Sequence, residues 1–153
     1  MNLRESMILA SQEINMKLQR ILRSLVAATS IAFTGAAAAH TVGDTVKPNF
    51  SRAIPNIPGK SLIAVEVLYP PGGASHPHTH AKSSFIYAYV VSGSVASKVN
   101  DEPERVYKAG ESFFEEPGAR HPVSRNASKT KPAKLLAVFV VDSDDKELTI
   151  NDK

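Results

Sequence analysis

Short runs of β-branched and aromatic residues, each bounded by glycine or proline, recur along most of this chain. The runs cover residues 61–69, 84–91, 95–99, 105–107, 111–115, 121–124 and 135–141. Runs of this kind predict strands, and turn signals at about 8–12-residue spacing are typical of an all-β sandwich or barrel. No convincing amphipathic helix pattern accompanies them, so we expect an all-β domain. By default, its aromatic residues Phe85, Tyr87, Tyr89, Phe113 and Phe114 are predicted to lie mostly in the core.

The N-terminal residues have the pattern of an export signal. A basic stretch from Met16 to Arg23 precedes an apolar run that ends in four alanines at 36–39. A basic start, an apolar core and a small-residue end are typical of a secretory signal, and this run is short for a membrane span. The sequence therefore predicts an N-terminal signal helix at residues 1–39, with Met16 as a possible true start and cleavage before His40. The mature protein would be secreted or periplasmic, with no stable membrane span.

Cysteine and charge exclude several classes of function. The chain has no cysteine, which removes disulfides, thiolate metal sites and cysteine nucleophiles. The formal charge is +3, of which +2 belongs to residues 1–39, so the remaining chain is close to neutral. A near-neutral chain gives no reason to expect a nucleic-acid partner.

The histidines are the strongest functional signal in the sequence. His76, His78 and His80 follow one another at alternate positions, and in an extended strand alternate side chains lie on one face. Imidazole is a common metal ligand that suits Zn, Cu, Fe and Ni. A fourth histidine, His121, follows Pro117 and Gly118. We expect a barrel that brings His121 back to the first group, where they hold a metal.

Two motifs in order resemble those of the cupin superfamily. The first motif matches at Gly72, His78, His80 and Gly93. The second matches at Gly110, Pro117, Gly118, His121 and Asn126, with one-residue shifts at Pro117 and Asn126. The pattern is most similar to the small single-domain cupins often labelled quercetin-dioxygenase-like. The resemblance implies a double-stranded β-helix, or jelly-roll, barrel and one divalent metal ion held by His78, His80 and His121.

The sequence departs from the family at the glutamate of the first motif. Counting back from Gly93 places Ile86 at that position, and no acidic residue occurs between Glu66 and Asp101. Two side chains could replace the missing ligand. One is His76, and the other is Glu115, which offers a carboxylate that could bind the metal or act as a catalytic base. Glu115 is the preferred candidate because Pro77 can bend the chain and move His76 away.

These features predict a division of the chain into a signal segment at 1–39, an arm or edge strand at 40–59, a barrel at 60–142 and a charged, loose tail at 143–153.

The favoured function is a metal-dependent, dioxygenase-like enzyme acting on a small organic substrate. The alternatives are a non-catalytic cupin that binds a small ligand or a metal, and a sugar isomerase-like cupin. The metal could be Fe, Mn, Ni, Cu or Zn, since nitrogen and oxygen ligands admit all of them. The long apolar run at 135–141 would suit a homodimer interface.

Overall fold

The computed structural model describes residues 43–145 and 147–153. The predicted signal segment, Met16 and His40 lie outside the described residues. The described residues contain eleven strands: β1 (Thr45–Ala53), β2 (Lys60–Tyr69), β3 (His78–His80), β4 (Phe85–Ser92), β5 (Ser94–Lys98), β6 (Arg105–Lys108), β7 (Ser112–Glu115), β8 (Arg120–His121), β9 (Val123–Asn126), β10 (Ala133–Asp142) and β11 (Thr149–Asn151). No helix in these ranges is long and apolar enough to cross a membrane.

The strands form three antiparallel sheets that together make a double-stranded β-helix. The largest sheet has the order β1-β2-β10-β4-β7, and two three-stranded sheets have the orders β11-β3-β8 and β6-β5-β9. Strands distant in sequence are neighbours in every sheet, as in a jelly roll. The all-β prediction is therefore confirmed for the described residues.

The core follows from the alternation of side chains along the long strands. In β10, the buried residues Leu135, Ala137, Phe139 and Val141 alternate with half-buried ones. Each alternate side chain of a strand lies on the same face, so this set points into the barrel. The main buried cluster combines residues of β2, β4, β5, β7 and β10: Val67, Tyr69, Ala88, Val90, Val95, Phe113, Ala133 and Leu135.

The prediction that the aromatic residues lie mostly in the core is wrong for three of them. Phe85, Tyr87 and Phe114 are 42%, 46% and 60% exposed, whereas Phe113 is 8% exposed. The reason is the two-residue period of β4 and β7, which turns these three side chains to the outer face of the sheet while Phe113 points inward. The outer face therefore carries large apolar side chains, with Phe85 stacked on Phe114.

Two terminal segments form edge strands of the barrel. In the predicted arm, β1 pairs with β2 along most of its length. In the tail expected to be loose, β11 pairs with β3, with Thr149 opposite His80 and Asn151 opposite His78. A short strand with few apolar residues gives little sequence signal, which explains why β11 was not expected.

β10 lies between β2 and β4, so both of its backbone edges are already paired. Only its outer face is left for contact with a second copy of the chain. The homodimer stays a prediction, which sedimentation of the purified protein would test.

Candidate metal centre

The histidine cluster is assembled by the pairing of two short strands. β3 carries His78 and His80 on one face, and β8 places His121 directly opposite His78. The ring centroid of His78 lies 4.7 Å from that of His80 and 5.2 Å from that of His121. One nitrogen from each of the three imidazoles lies within 4.8 Å of the others. The three histidines that the sequence singled out as ligands could therefore hold one metal ion.

His76 is not part of this group. β3 begins at His78, so His76 precedes the strand, and its side chain is exposed. Pro77 lies between them and has no N–H to donate to a strand ladder. His76 does line the same cavity, and its carbonyl oxygen contacts His78. The predicted alignment of all three histidines on one strand is therefore wrong for His76, and its role as a ligand stays a prediction.

Glu115 at the end of β7 brings a carboxylate into the cluster. It is 3% exposed, and its Oε2 lies 3.0 Å from His80 Nε2 and 3.2 Å from His121 Nδ1. Its partner across the ladder between β4 and β7 is Ile86, the position at which the family pattern has a glutamate. Directly paired residues of antiparallel strands point to the same face with neighbouring Cβ atoms. The carboxylate missing from β4 is thus replaced in space by one on the adjacent strand.

Backbone carbonyls fix the tautomers of two histidines. A carbonyl oxygen only accepts a hydrogen bond, so the ring nitrogen that contacts it carries the proton. His78 Nδ1 donates to the carbonyl of His76 over 2.7 Å, and His80 Nδ1 lies 3.3 Å from the carbonyl of Leu148. In the neutral imidazoles, Nε2 is then left with its lone pair. A lone pair on a fixed nitrogen is what metal binding requires.

The third histidine is oriented by a hydroxyl group. His121 Nε2 lies 2.8 Å from the Oγ of buried Ser97, so its Nδ1 is the nitrogen that faces Glu115. When Nε2 donates its proton to Ser97, the Nδ1 lone pair points into the cluster. A hydrogen-bond partner on the other ring nitrogen is the usual way in which proteins orient metal-binding imidazoles.

The contact between two buried atoms of the cluster favours a cation at this point. His80 Nε2 and Glu115 Oε2 have no hydrogen-bond partner of acceptable geometry, although they lie 3.0 Å apart. With the proton of neutral His80 on Nδ1, both atoms present lone pairs to each other, and this contact is unfavourable in a buried site. A divalent cation or a second proton on His80 would resolve it. Three imidazoles and one carboxylate are a donor set that fits a divalent transition metal.

Burial of the histidines and their contacts with Glu115 together favour the protonation states that metal binding needs. Desolvation lowers the pKa of His121 to about 4, although the charge of Glu115 acts in the opposite direction. Desolvation also lowers the pKa of His78. For Glu115, burial raises the pKa, but the contacts with His80 and His121 lower it more, so the net shift is downward. At neutral pH, His121 and His78 are neutral and Glu115 is an anion.

The cluster opens onto a cavity inside the barrel with a volume of about 320 Å³. Its wall is largely apolar, with Val65, Val67, Leu135, Ala137 and Phe139 among the lining residues. A cavity of this size is at the lower end of small-molecule sites. A metal held here would face a space large enough for a small organic molecule.

Six other polar residues that the sequence did not single out line the cavity, among them Thr149 and Asn151 of β11. Asp44, Tyr69, Ser75 and Ser124 line it together with the histidines. No spacing rule connects these positions, and in the sequence Tyr69 has the pattern of an ordinary strand-end aromatic residue. Only the folding of distant segments against one another brings them together.

The fold and the cluster together define a double-stranded β-helix protein with a candidate metal centre inside the barrel. The cupin domain family model matches residues 65–139, which include the second half of β2, all of β3 to β9 and much of β10. The chain therefore contains a cupin domain, and the described residues have the fold of a small cupin. No protein among the curated sequences matches it.

Several solved structures share this fold. The protein TT1209 from Thermus thermophilus is 27% identical with a TM-score of 0.53, and the match covers 65% of this chain and 84% of that one. A double-stranded β-helix protein from Klebsiella pneumoniae is 15% identical with a TM-score of 0.57, covering 72% and 85%. A recombinant oxalate oxidase in complex with glycolate is 23% identical with a TM-score of 0.51, covering 67% of this chain and 53% of that one. The last two show similarity of fold alone.

Proposed function

We propose that this protein is an exported, metal-dependent enzyme that acts on a small organic molecule, with dioxygenase-like chemistry as the first reaction to test. One observation carries the proposal. Three imidazoles and the Glu115 carboxylate converge on one point at the wall of a largely apolar cavity. A storage or structural site has no need of such a cavity, since structural sites are closed by protein ligands.

In this proposal, the residues of the cavity have separate roles. His78, His80 and His121 would hold the metal, and Glu115 would complete the site or accept a proton from the substrate. When bound, the metal would supply Lewis-acid chemistry or, if redox-active, chemistry with dioxygen. The apolar side chains of Val67, Leu135 and other wall residues exclude water and surround the body of the substrate. This lining is better suited to an aromatic or diketone molecule than to a sugar, which needs many polar partners.

We expect the untagged wild-type protein to carry about one metal ion per chain. The variant His78→Ala/His80→Ala should lose it, since two of the three convergent nitrogens are gone. The matched control is His76→Ala, which removes an exposed histidine that does not belong to the group. Elemental analysis, with circular dichroism as a check of folding, measures both. Loss of metal from the control would make His76 a ligand.

A redox-active metal leads to the second measurement, which is oxygen uptake with small aromatic and diketone substrates. Oxygen consumption that disappears in the double-alanine variant supports the oxygenase. Metal without turnover favours the non-catalytic metal-binding alternative. A wild-type protein that takes up no metal after incubation with Fe, Mn, Ni, Cu and Zn contradicts the proposal and leaves a metal-free binding barrel.

Export is the second part of the proposal, and it is supported by the signal-like composition of residues 1–39. N-terminal sequencing of the protein recovered from the periplasm or the medium should begin at His40. A full-length chain confined to the cytoplasm would contradict export without affecting the metal site.

A further inference from the structure

A second polar cluster shares the cavity with the histidines. It consists of Asp44, Tyr69, Ser75 and Ser124, and we call it the hydroxyl chain. The phenol oxygen of Tyr69 lies 2.7 Å from Ser124 Oγ and 3.1 Å from Ser75 Oγ, and Ser75 Oγ donates to the Asp44 carboxylate. Tyr69 is 1% exposed and Ser124 is 4% exposed. These hydroxyls therefore depend on one another, rather than on bulk water, for their hydrogen bonds.

Only one direction of donation gives each of the three contacts a proton. Ser75 uses its single proton on Asp44. The contact between Tyr69 and Ser75 must then use the Tyr69 proton, and the contact between Tyr69 and Ser124 must use the Ser124 proton. All three hydroxyl protons thus point along the chain toward Asp44.

The hydroxyl chain has unused hydrogen-bond acceptors but no unused hydroxyl donors. Ser124 Oγ has given its proton to Tyr69 and keeps two lone pairs. The Asp44 carboxylate offers about four acceptor positions, of which Ser75 uses one. A ligand that contacts the hydroxyl chain therefore meets acceptors and must bring a donor such as a hydroxyl group, whereas Thr149 and Asn151 offer donors elsewhere on the cavity wall.

The charge of the cavity leads to the same conclusion. Among the lining residues that the structure describes, none is Lys or Arg, whereas Asp44 and Glu115 are both carboxylates. A carboxylate on the substrate would be desolvated beside these carboxylates, with no lysine or arginine among the described lining residues to pair with it. Burying an unpaired charge is costly, so the wall disfavours carboxylates.

We propose that the hydroxyl chain is the specificity subsite of this cupin, and that it selects neutral substrates bearing a hydroxyl group over carboxylates of the same shape. This inference rests on the proposed function, in which the metal end of the cavity holds the reacting part of the substrate. The cavity volume of about 320 Å³ suits a molecule with a single ring.

The test uses three probes that share a metal-binding catechol ring and differ only in the group opposite it: 3,4-dihydroxybenzyl alcohol, 4-methylcatechol and 3,4-dihydroxybenzoate. Each is titrated by calorimetry into the full chain loaded with Zn²⁺, which binds without turnover. We expect the alcohol to bind about tenfold or more tightly than the benzoate, with the methyl compound between them. Equal binding, or tighter binding of the benzoate, would overturn the subsite.

Two variants make the result specific to the hydroxyl chain. Asp44→Asn keeps the shape and removes the charge, so the preference for the alcohol over the benzoate should fall several-fold while Zn²⁺ uptake is unchanged. Asp101→Asn, in an exposed turn, is the matched control and should keep the preference. A preference that is unchanged in Asp44→Asn would show that the selectivity arises elsewhere.

A final experiment distinguishes an error in the proposed subsite from an error in the proposed metal site. The same probes are titrated into metal-free protein while the backbone amide NMR signals of Ser75 and Ser124 are followed. Shifts with the alcohol and not with the benzoate support the subsite even if the protein binds no metal. A protein that binds Zn²⁺ but shows no discrimination between the probes in either form has the metal centre without the subsite.

Discussion

Glu115→Ile is expected to abolish tight metal binding, and the addition of Ile86→Glu is expected to restore it. The two residues are directly paired across β4 and β7, and they are 3% and 0% exposed. Their side chains enter the barrel from adjacent positions on the same face, so a carboxylate at either position can reach the imidazoles. Exchanging the two residues conserves their summed volume, which cores tolerate best. The double variant therefore keeps one carboxylate and one apolar side chain in the same space.

The expected loss in the single variant is about 100-fold or more in metal affinity, which is at least the size of effect seen for groups that only orient metal ligands. Competition against a chelator with known affinity measures it.

Glu115→Gln is a further test that removes the charge alone, and Glu116→Gln, at an exposed neighbouring position, is its matched control. Wild-type affinity in Glu115→Gln would show that the carboxylate does not bind the metal. A folded double variant that fails to recover would show that position 86 cannot deliver the ligand.

Ile86→Glu alone gives the complementary result. It places two carboxylates side by side in a buried site, where like charges raise each other's pKa and destabilise the fold. We expect this variant to be the least stable of the series without metal and to gain the most stability when metal is added, because the cation pairs with both charges. Thermal unfolding with and without metal shows the difference.

The positions of the strands could be predicted because their composition and boundaries are both strong signals. β2 lies between two groups of proline and glycine, and β10 is a long apolar run. The face that each strand turns inward could not be predicted. β4 has apolar residues on both faces, with Ile86 and Ala88 inside and Phe85 and Tyr87 outside. Alternation of polar and apolar residues is what normally identifies the inner face, and it is absent here.

The candidate site likewise has a part that could be predicted from the sequence and a part that could not. The spacing of His78 and His80 fixes their common face locally, and the resemblance to cupins links them to His121. Replacement of the missing carboxylate by Glu115 depends on the register between β4 and β7, which no local pattern specifies. The hydroxyl chain depends on contacts between residues up to 55 positions apart, such as Tyr69 and Ser124. Serine and tyrosine at such separations give no sequence signal, so this part of the cavity is visible only in the fold.

Gly93→Ala is expected to destabilise the fold far more than Gly110→Ala, although both glycines match the cupin motifs. Gly93 joins β4 to β5 with φ +73, and Gly110 lies in the turn before β7 with φ +91. A side chain at either position must adopt a left-handed conformation, which costs about 1–2 kcal/mol. A Cβ at Gly93 would also lie 2.6 Å from the carbonyl oxygen of Pro132 and 2.8 Å from Ala133 Cα. These are backbone atoms at the start of β10, so they cannot move away without shifting a central strand.

The clash at Gly93 adds about 1–3 kcal/mol to the conformational cost, which gives a total of about 2–5 kcal/mol. At Gly110, no atom lies within 4 Å of the added Cβ, so the conformational cost stands alone. Urea unfolding of the metal-free proteins measures both variants under the same conditions. Equal losses would mean that left-handed strain alone determines the requirement for glycine. A larger loss at Gly93 would show that one motif glycine is required by the close approach of β10, and the other only by the geometry of its turn.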